Sequence, residues 1–385
     1  MKPAGSEVKT AGSVESRLVN ILVIGGTGPT GPHIVNGLVD RGHDVVILHT
    51  GNHEVDTIPD HLEHIHTDPF DEEAFTASIE GRNFDVVFAM YGRLRSIAKV
   101  LVGRTPRLFS IGGFPVYRGW GEPEQLFPVG MPFPTRETHA LASDGIDGAK
   151  TQKIAESEEL VFSLHPDATH FRYPYIYGPN QVLPREWSLV KRALDGRREL
   201  VVADGGLSMM TSAYVRNATH TVLLAIDHID RSAGQAYNVG DDRQFSVAQL
   251  AEIVADELNH QWELVSVPWA QAEPAVPMLH AHGPTHRLLS TEKARAELGY
   301  EDLVDPIEGL RETIRWQVDN LPSDPTVVGR LQDPFDYAAE DALVAAARRF
   351  EADTAAIEYA ERPGWSFGYY GPRDNPGGQR GSFRA

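Results

Sequence analysis

The sequence predicts an α/β fold, a doubly wound parallel sheet with a smaller, mostly helical C-terminal lobe. Two observations carry this expectation. From Leu18 onward short β-branched runs alternate with helical stretches, and the runs are continuously apolar, as strands are when both faces of a sheet are covered. Residues 19–24, 44–48, 62–66, 85–90 and 107–111 read as strands. Between the first two, residues 32–41 read as a helix, with Ile34, Val35, Leu38 and Val39 on one stripe and Gly42 as its stop signal. Residues 112–145 are rich in Pro and Gly and lack periodicity, which predicts a long functional loop beside the carboxyl edge of the sheet. Residues 150–163 read as a helix turning Ile154, Ala155 and Val161 inward, and 169–172 as a further strand. After Gly178-Pro179-Asn180 the composition changes, and residues 185–194, 247–258, 291–298 and 306–318 read as helices of the second lobe. The expected organisation is a disordered leader over 1–17, a sheet domain over 18–180 and a lobe over 181–330, with part of 208–240 returning to the sheet. A C-terminal segment over 331–385 holds one helix and a Gly/Pro/aromatic tail.

With 385 residues the chain has room for about two domains and a large core. Lys and Arg number 35 against 54 Asp and Glu, a net charge of −19. Such a balance repels phosphate backbones and anionic lipid. It argues against nucleic acid and membrane partners and leaves a small molecule as the expected ligand. The absence of cysteine excludes disulfides, thiolate metal sites, Fe–S clusters and a Cys nucleophile. The longest apolar stretches, such as 21–24 and 221–226, fall far short of the roughly 18 residues of a membrane helix. Residues 1–16 lack the apolar segment of a secretory signal, so a cytoplasmic protein is expected.

The segment Val23-Ile24-Gly25-Gly26-Thr27-Gly28-Pro29-Thr30-Gly31 follows the first predicted strand and opens the first predicted helix. Glycines three apart in that context let the chain turn tightly, let the backbone approach a diphosphate and let helix pack on strand, while the helix N-terminus attracts the phosphate charge. This is the pattern of a Rossmann-type dinucleotide site, with Gly25, Thr27, Gly28, Pro29, Thr30 and Gly31 as its lining. At the end of the second strand an acidic residue normally takes the NAD ribose, and an Arg the 2′-phosphate of NADP. Here stand His49-Thr50-Gly51-Asn52-His53, neither acid nor Arg. Because His and Asn tolerate a phosphate, the expected cofactor is NADP or NAD, with the balance tipped to NADP.

These residues resemble the short-chain dehydrogenase/reductase superfamily in its extended branch, the NAD-dependent epimerase/dehydratase family. The likeness runs from about residue 18 to 318. It rests on the glycine motif, on Asp68, on the run from Arg172 to Pro179, on Tyr237-Asn238-Val239-Gly240, and on Ser290-Thr291-Glu292-Lys293-Ala294 leading to Leu298-Gly299-Tyr300. The resemblance implies an NAD(P)-dependent oxidoreductase or epimerase acting on a small hydroxy or carbonyl compound. It also implies a homodimer built on residues 93–102 and 150–163, and cofactor contacts at His49, Thr50, Asp68, Pro69, Met90, Tyr91, Ser110, Lys150 and Tyr173.

Relatives with redox activity use a Ser or Thr after the fifth strand and a Tyr four residues before a Lys. The ammonium lowers the phenol's pKa, so the Tyr passes a proton while hydride moves. Lys150 matches the Lys and would hold the nicotinamide ribose. The Tyr position is Ile146, and the Ser position falls on Gly112 or Gly113, near Ser110. Loss of a positioned acid or base costs about 10²- to 10⁴-fold in rate, so another group substitutes, the chemistry differs, or the protein binds without turnover. Tyr175 is the first replacement candidate and Tyr117 the second, with His139 and Asp147 behind them. Arg185, Trp187 and Arg192 fall where relatives contact substrate. Val215-Arg216-Asn217 replaces the Val-Asp-Asp run common in relatives, which weakens direct transfer of a nucleotide-sugar substrate.

Two other readings remain open at the level of sequence. One is lyase or isomerase chemistry with NAD(P) oxidising the substrate only transiently. The other is a non-redox RNA- or ligand-binding protein, because chloroplast stem-loop RNA-binding proteins of the same branch resemble the chain from about residue 166 and also lack the Tyr. Arg185, Lys191, Arg192, Arg197 and Arg198 would then form the basic patch. Histidines group at His61, His64 and His66 and again at His280, His282 and His286. On a strand His64 and His66 would share a face and could begin a zinc site, but the sequence places no third ligand, and no metal is expected.

Overall fold

The computed structural model describes residues 19–52, 55–90, 92–143, 145–279, 285–321 and 330–361. The expected leader, and the tail from residue 362, lie outside them. The chain divides after Phe335; the first unit holds the sheet and the lobe, and the second contains the helix at residues 337–355.

Numbered in chain order, strands β1 (Asn20–Ile24), β2 (Asp44–His49), β3 (Glu63–His66), β4 (Val86–Ala89), β5 (Arg107–Gly113), β6 (Thr169–Tyr173) and β10 (Gln235–Asn238) make one parallel sheet. Its order is β3-β2-β1-β4-β5-β6-β10. The pleat sends Ile21 and Val23 of β1 to one face and Leu22 and Ile24 to the other. Helices α1 (Gly31–Asp40) and α6 (Val215–Asp227) cover the first face, where Ile34, Leu38, Ala218 and Val222 are buried. Helices α2 (Glu72–Ser78), α3 (Leu94–Val100) and α4 (Ala149–Leu164) cover the second with Phe75, Ile97 and Val161. This double cover is the physical reason that the strands read as unbroken apolar runs. Strand order reverses between β1 and β4, and their carboxyl ends form the crevice in which ligands bind in such sheets.

Two short parallel pairs lie outside this sheet: β7 (Tyr175–Tyr177) with β9 (Ser212–Tyr214), and β8 (Glu199–Ala203) with β11 (Glu263–Val267). Helices α5 (Trp187–Leu194), α7 (Val247–Glu257), α8 (Val276–Leu279) and α10 (Pro306–Asp319) complete the lobe. The lobe is not one continuous segment. The chain returns to the sheet through α6, which lies on α1, and through β10, which pairs with β6; α9 (Glu292–Leu298) then packs on both. Residues 215–238 thus lie with the sheet, and α9 follows them there.

The long loop over 112–145 has a core of its own. Phe114, Val116, Tyr117, Met131 and Ala142 bury together with Ala155 of α4 and Leu289. None of the helices among the described residues is long and apolar enough to cross a membrane.

Candidate active site

The crossing from β1 to α1 is built from glycines for three separate reasons. Gly25 and Gly26 take φ of +109° and +70°, a region costly for any residue with a Cβ. A Cβ on Gly31 would stand 2.2 Å from the backbone of Gly26, so only glycine lets the helix start close to the strand. Gly28 differs: it is exposed, its φ is not positive, and a Cβ there would meet nothing within 4 Å. No packing demand of the chain explains that glycine, whereas a diphosphate lying on the loop would. The residues therefore fit a dinucleotide. Backbone bonds hold the loop in shape, from Thr27 N–H to Gly25 O at 2.8 Å, from Gly31 N–H to Gly28 O at 2.9 Å and from Gly25 N–H to Leu48 O at 2.8 Å.

Around this loop the structure places several of the expected cofactor residues. Met90 follows β4, and its Cβ would be 2.8 Å from a Cβ on Gly25. His49 ends β2 and is buried, and Thr50 after it is exposed. Asp68 follows β3, exposed, and accepts from Phe70 N–H at 2.9 Å; Pro69 beside it is half-buried. Tyr173 ends β6, and its hydroxyl is buried beside Thr30 of the loop without a hydrogen bond of good geometry. Burial drives that phenol's pKa upward. Tyr91 lies outside the described residues.

A cavity of about 550 Å³ lies beside the carboxyl end of β5, lined by Gly112, Gly113, Lys150, Ile154, Glu158 and His170 among others. Lys150 is exposed in the first turn of α4. Ile146 is half-buried, four residues earlier. Where relatives carry a serine, a Cβ on Gly112 would stand 2.4 Å from His170 Nε2. The imidazole occupies the space that a side chain at 112 would need.

That imidazole belongs to a buried polar chain that sequence reasoning missed. Its residues are separated by up to 121 positions, but β5 and β6 pair Ser110 directly with His170. His170 Nδ1 is 2.7 Å from Ser110 Oγ, and His170 Nε2 is 3.3 Å from Glu158 Oε2. Glu158 receives two hydrogen bonds from Arg172, at 2.5 and 3.0 Å, and Arg172 also reaches the Tyr117 hydroxyl at 2.6 Å. Tyr117 in turn donates to Asn238 Oδ1 at 2.6 Å. Burial pushes the Glu158 pKa up, but the Arg172 hydrogen bonds and charge outweigh it and hold the carboxyl below its usual range. Burial lowers the His170 pKa, so the ring is neutral. His170 Nδ1 is hydrogen-bonded to the Ser110 hydroxyl, while Nε2 faces the Glu158 carboxylate across a longer contact. Ser110 is fully buried in this chain and bonded to His170.

The two tyrosines expected as replacements for the missing acid are committed elsewhere. Tyr117 is fully buried, and burial raises its pKa to about 12 against the opposing pull of Arg172. Tyr175 donates to Leu183 O at 2.5 Å, lies 3.0 Å from Glu186 Oε2 and accepts from Arg185 N–H at 2.7 Å. Asp147 is buried and accepts from Gly119 and Ser143 N–H, so it holds the loop together. The His139 ring packs 5.9 Å from that of Tyr117.

In the lobe, Trp187 is buried, and Arg192 is buried and paired with Asp333 at 2.6 and 3.2 Å. Arg185 lies over the Tyr175 ring and shares a small cavity with Arg287 and Met210. With Arg185 and Arg192 buried and Lys191 paired to Asp195 at 2.7 Å, the basic patch expected of an RNA binder is not a continuous surface. Asn217 of the Val215-Arg216-Asn217 run bonds Asp241 at 2.9 Å and serves the fold. Among the histidines, His61 joins no cluster among the described residues, while His64 and His66 meet a third ring, His49. His280 and His282 lie outside the described residues.

Comparison with known proteins agrees with this geometry. Residues 21–99 match the family model of the NAD dependent epimerase/dehydratase family. The chain is 24% identical over 336 residues to the rice protein named "Probable GDP-L-fucose synthase 1", spanning 79% of this chain and 93% of that one. It is 22% identical over 311 residues to the Arabidopsis thaliana chloroplast stem-loop binding protein of 41 kDa b, spanning 76% and 78%. The crystal structure of UDP-glucose 4-epimerase with UDP-glucose from Thermotoga maritima superposes with a TM-score of 0.61 at 19% identity, covering 78% of this chain and 99% of that one. A parallel sheet reversing at β1/β4, a glycine crossing left clear at Gly28 and a family match over that same segment lead to one conclusion: residues 21–99 are similar to the NAD dependent epimerase/dehydratase family, and the chain shares the fold of its structural neighbours.

Proposed function

We propose that this protein is an NAD(P)-dependent oxidoreductase or epimerase acting on a small hydroxy or carbonyl compound through a non-standard proton relay. The observation that carries the reading is the open space at Gly28, at the head of α1 and at the strand-order reversal. Gly25, Thr27, Gly28, Pro29, Thr30 and Gly31 would hold the diphosphate, and Lys150 the nicotinamide ribose. When bound, the nicotinamide supplies hydride exchange with a substrate carbon. The chain's own contribution is proton handling. His170, neutral and backed by the Glu158 carboxylate, stands in the place vacated at Gly112 and shares a cavity with Lys150. The nucleotide-sugar enzymes among the similar proteins support nucleotide sugars as the first class to assay. With no Asp or Glu at the end of β2, NADP is the preferred cofactor of this reading.

Calorimetric titration with NADP and NAD tests the proposal. Gly28→Ala meets no atom of the chain, so it should leave the melting temperature unchanged while weakening dinucleotide binding at least tenfold. Equal affinity in wild type and variant, or no binding by the wild type, would sink the reading. Net oxidation or reduction of cofactor during turnover separates an oxidoreductase from an epimerase or lyase using NAD(P) transiently.

A further inference from the structure

We propose that His49, His64 and His66 form a binding site for a divalent transition metal of the zinc class. The pairing of β2 with β3 places His49 opposite His66 and Ile47 opposite His64. Residues opposite each other on parallel strands point to the same face, as do His64 and His66 two apart, so the three rings are driven together. His49 Nε2 lies 2.9 Å from His64 Nδ1. One ring nitrogen from each residue lies within 4.8 Å of the others. The rings stand edge to face, with centroids 4.9 to 6.1 Å apart and interplanar angles of 75° to 88°. Rings at such angles can aim lone pairs at a common centre, whereas stacked rings cannot.

The dimensions are close to those of a metal site. Zinc takes imidazole nitrogen at about 2.0–2.1 Å, which puts two tetrahedral ligands about 3.3 Å apart. The His49–His64 pair must open by only a few tenths of an ångström, and a separation of 4.8 Å must shorten by a side-chain rotation. Binding requires the proton that His49 Nε2 shares with His64 Nδ1 to move to His49 Nδ1, which frees both facing nitrogens for the metal, and Gly51 N–H, which approaches Nδ1 at 3.3 Å, turns to solvent; Gly51 is exposed. Burial is graded, with His49 buried, His64 intermediate and His66 exposed. The inner ligand is thus fixed by the sheet, and the outer ligand reaches solvent.

The site does not depend on the dinucleotide reading, and its test does not use activity. Full-length protein, stripped with chelator, is titrated with Zn²⁺ by calorimetry and with Co²⁺ by visible absorption. One saturable equivalent per chain and the intense d–d bands of tetrahedral cobalt are expected. Affinity should fall at least tenfold in His66→Ala, whose side chain is exposed and whose loss spares the core, and again in His64→Ala. It should be unchanged in His61→Ala. The absence of saturable binding, or binding that survives His66→Ala and His64→Ala together, overturns the proposal.

Discussion

A guanidinium and a carboxylate buried side by side, as Arg172 and Glu158 are, stay charged because each removes the penalty the other would bear alone. On that fixed pair hangs the neutral His170, and its role is testable by substitution. His170→Asn should retain NADP binding and the wild-type melting behaviour to within a few degrees, while turnover falls by about 10²- to 10⁴-fold, the range for loss of a positioned proton carrier. Turnover that is unaltered would place the relay elsewhere. Asp241 gives a second prediction at this scale. It is buried and accepts from the Tyr177 hydroxyl at 2.6 Å and from Asn217 at 2.9 Å, yet burial raises its pKa to about 7. The unfolded carboxyl ionises near its ordinary value, so between about pH 4 and 7 the unfolded state loses a proton that the folded state keeps. Stability contributed by this group is full below pH 4 and declines by roughly 4 kcal/mol as pH rises to 7. Asp241→Asn can keep the acceptor and let Tyr177 donate to Pro306 O, 3.2 Å away. The stability of the variant relative to wild type should therefore rise with pH across that window, measured by urea unfolding at pH 5 and pH 8. A difference that is flat with pH would contradict the assignment.

Elements were legible where their own residues determine them. The helices α1, α4, α7, α9 and α10 carry periodic apolar stripes, and their observed ends lie within two residues of those read from the sequence. For α7 the start is written locally: Ser246 and Gln249 form a reciprocal capping box, with Ser246 Oγ accepting from Gln249 N–H and Gln249 Oε1 from Ser246 N–H. Ser246→Ala should cost about 1 kcal/mol of stability, readable as a lower urea midpoint with unchanged dinucleotide binding; no shift would show that the box contributes nothing. Strands β7, β8, β9 and β11 were not legible. Each has three to five residues and pairs only with a segment distant along the chain, β8 with β11 and β7 with β9. Helix α6 was missed because its Thr, His and Asn weaken the helical signal, while its burial comes from α1 and the sheet.

At the scale of the molecule the acidic balance of −19 and the burial of Arg185 and Arg192 together disfavour a nucleic-acid surface. Resemblance implies a homodimer through α3 and α4. Light scattering at micromolar concentration should give twice the chain mass; a monomer would remove the dimer from the proposal.

The fold class and the glycine-rich crossing from β1 to α1 were determined by the sequence alone, because both depend on local periodicity and on glycines that must lack a side chain. Only the tertiary structure decided the rest. The Ser110–His170–Glu158–Arg172 chain and the His49–His64–His66 cluster are assembled by strand pairing and by the packing of α4 on the sheet, which bring together residues that no spacing rule connects. The same packing engages the Tyr117 hydroxyl with Asn238 and the Tyr175 hydroxyl with Leu183, since what reaches a phenol depends on tertiary contacts and not on where it stands in the chain.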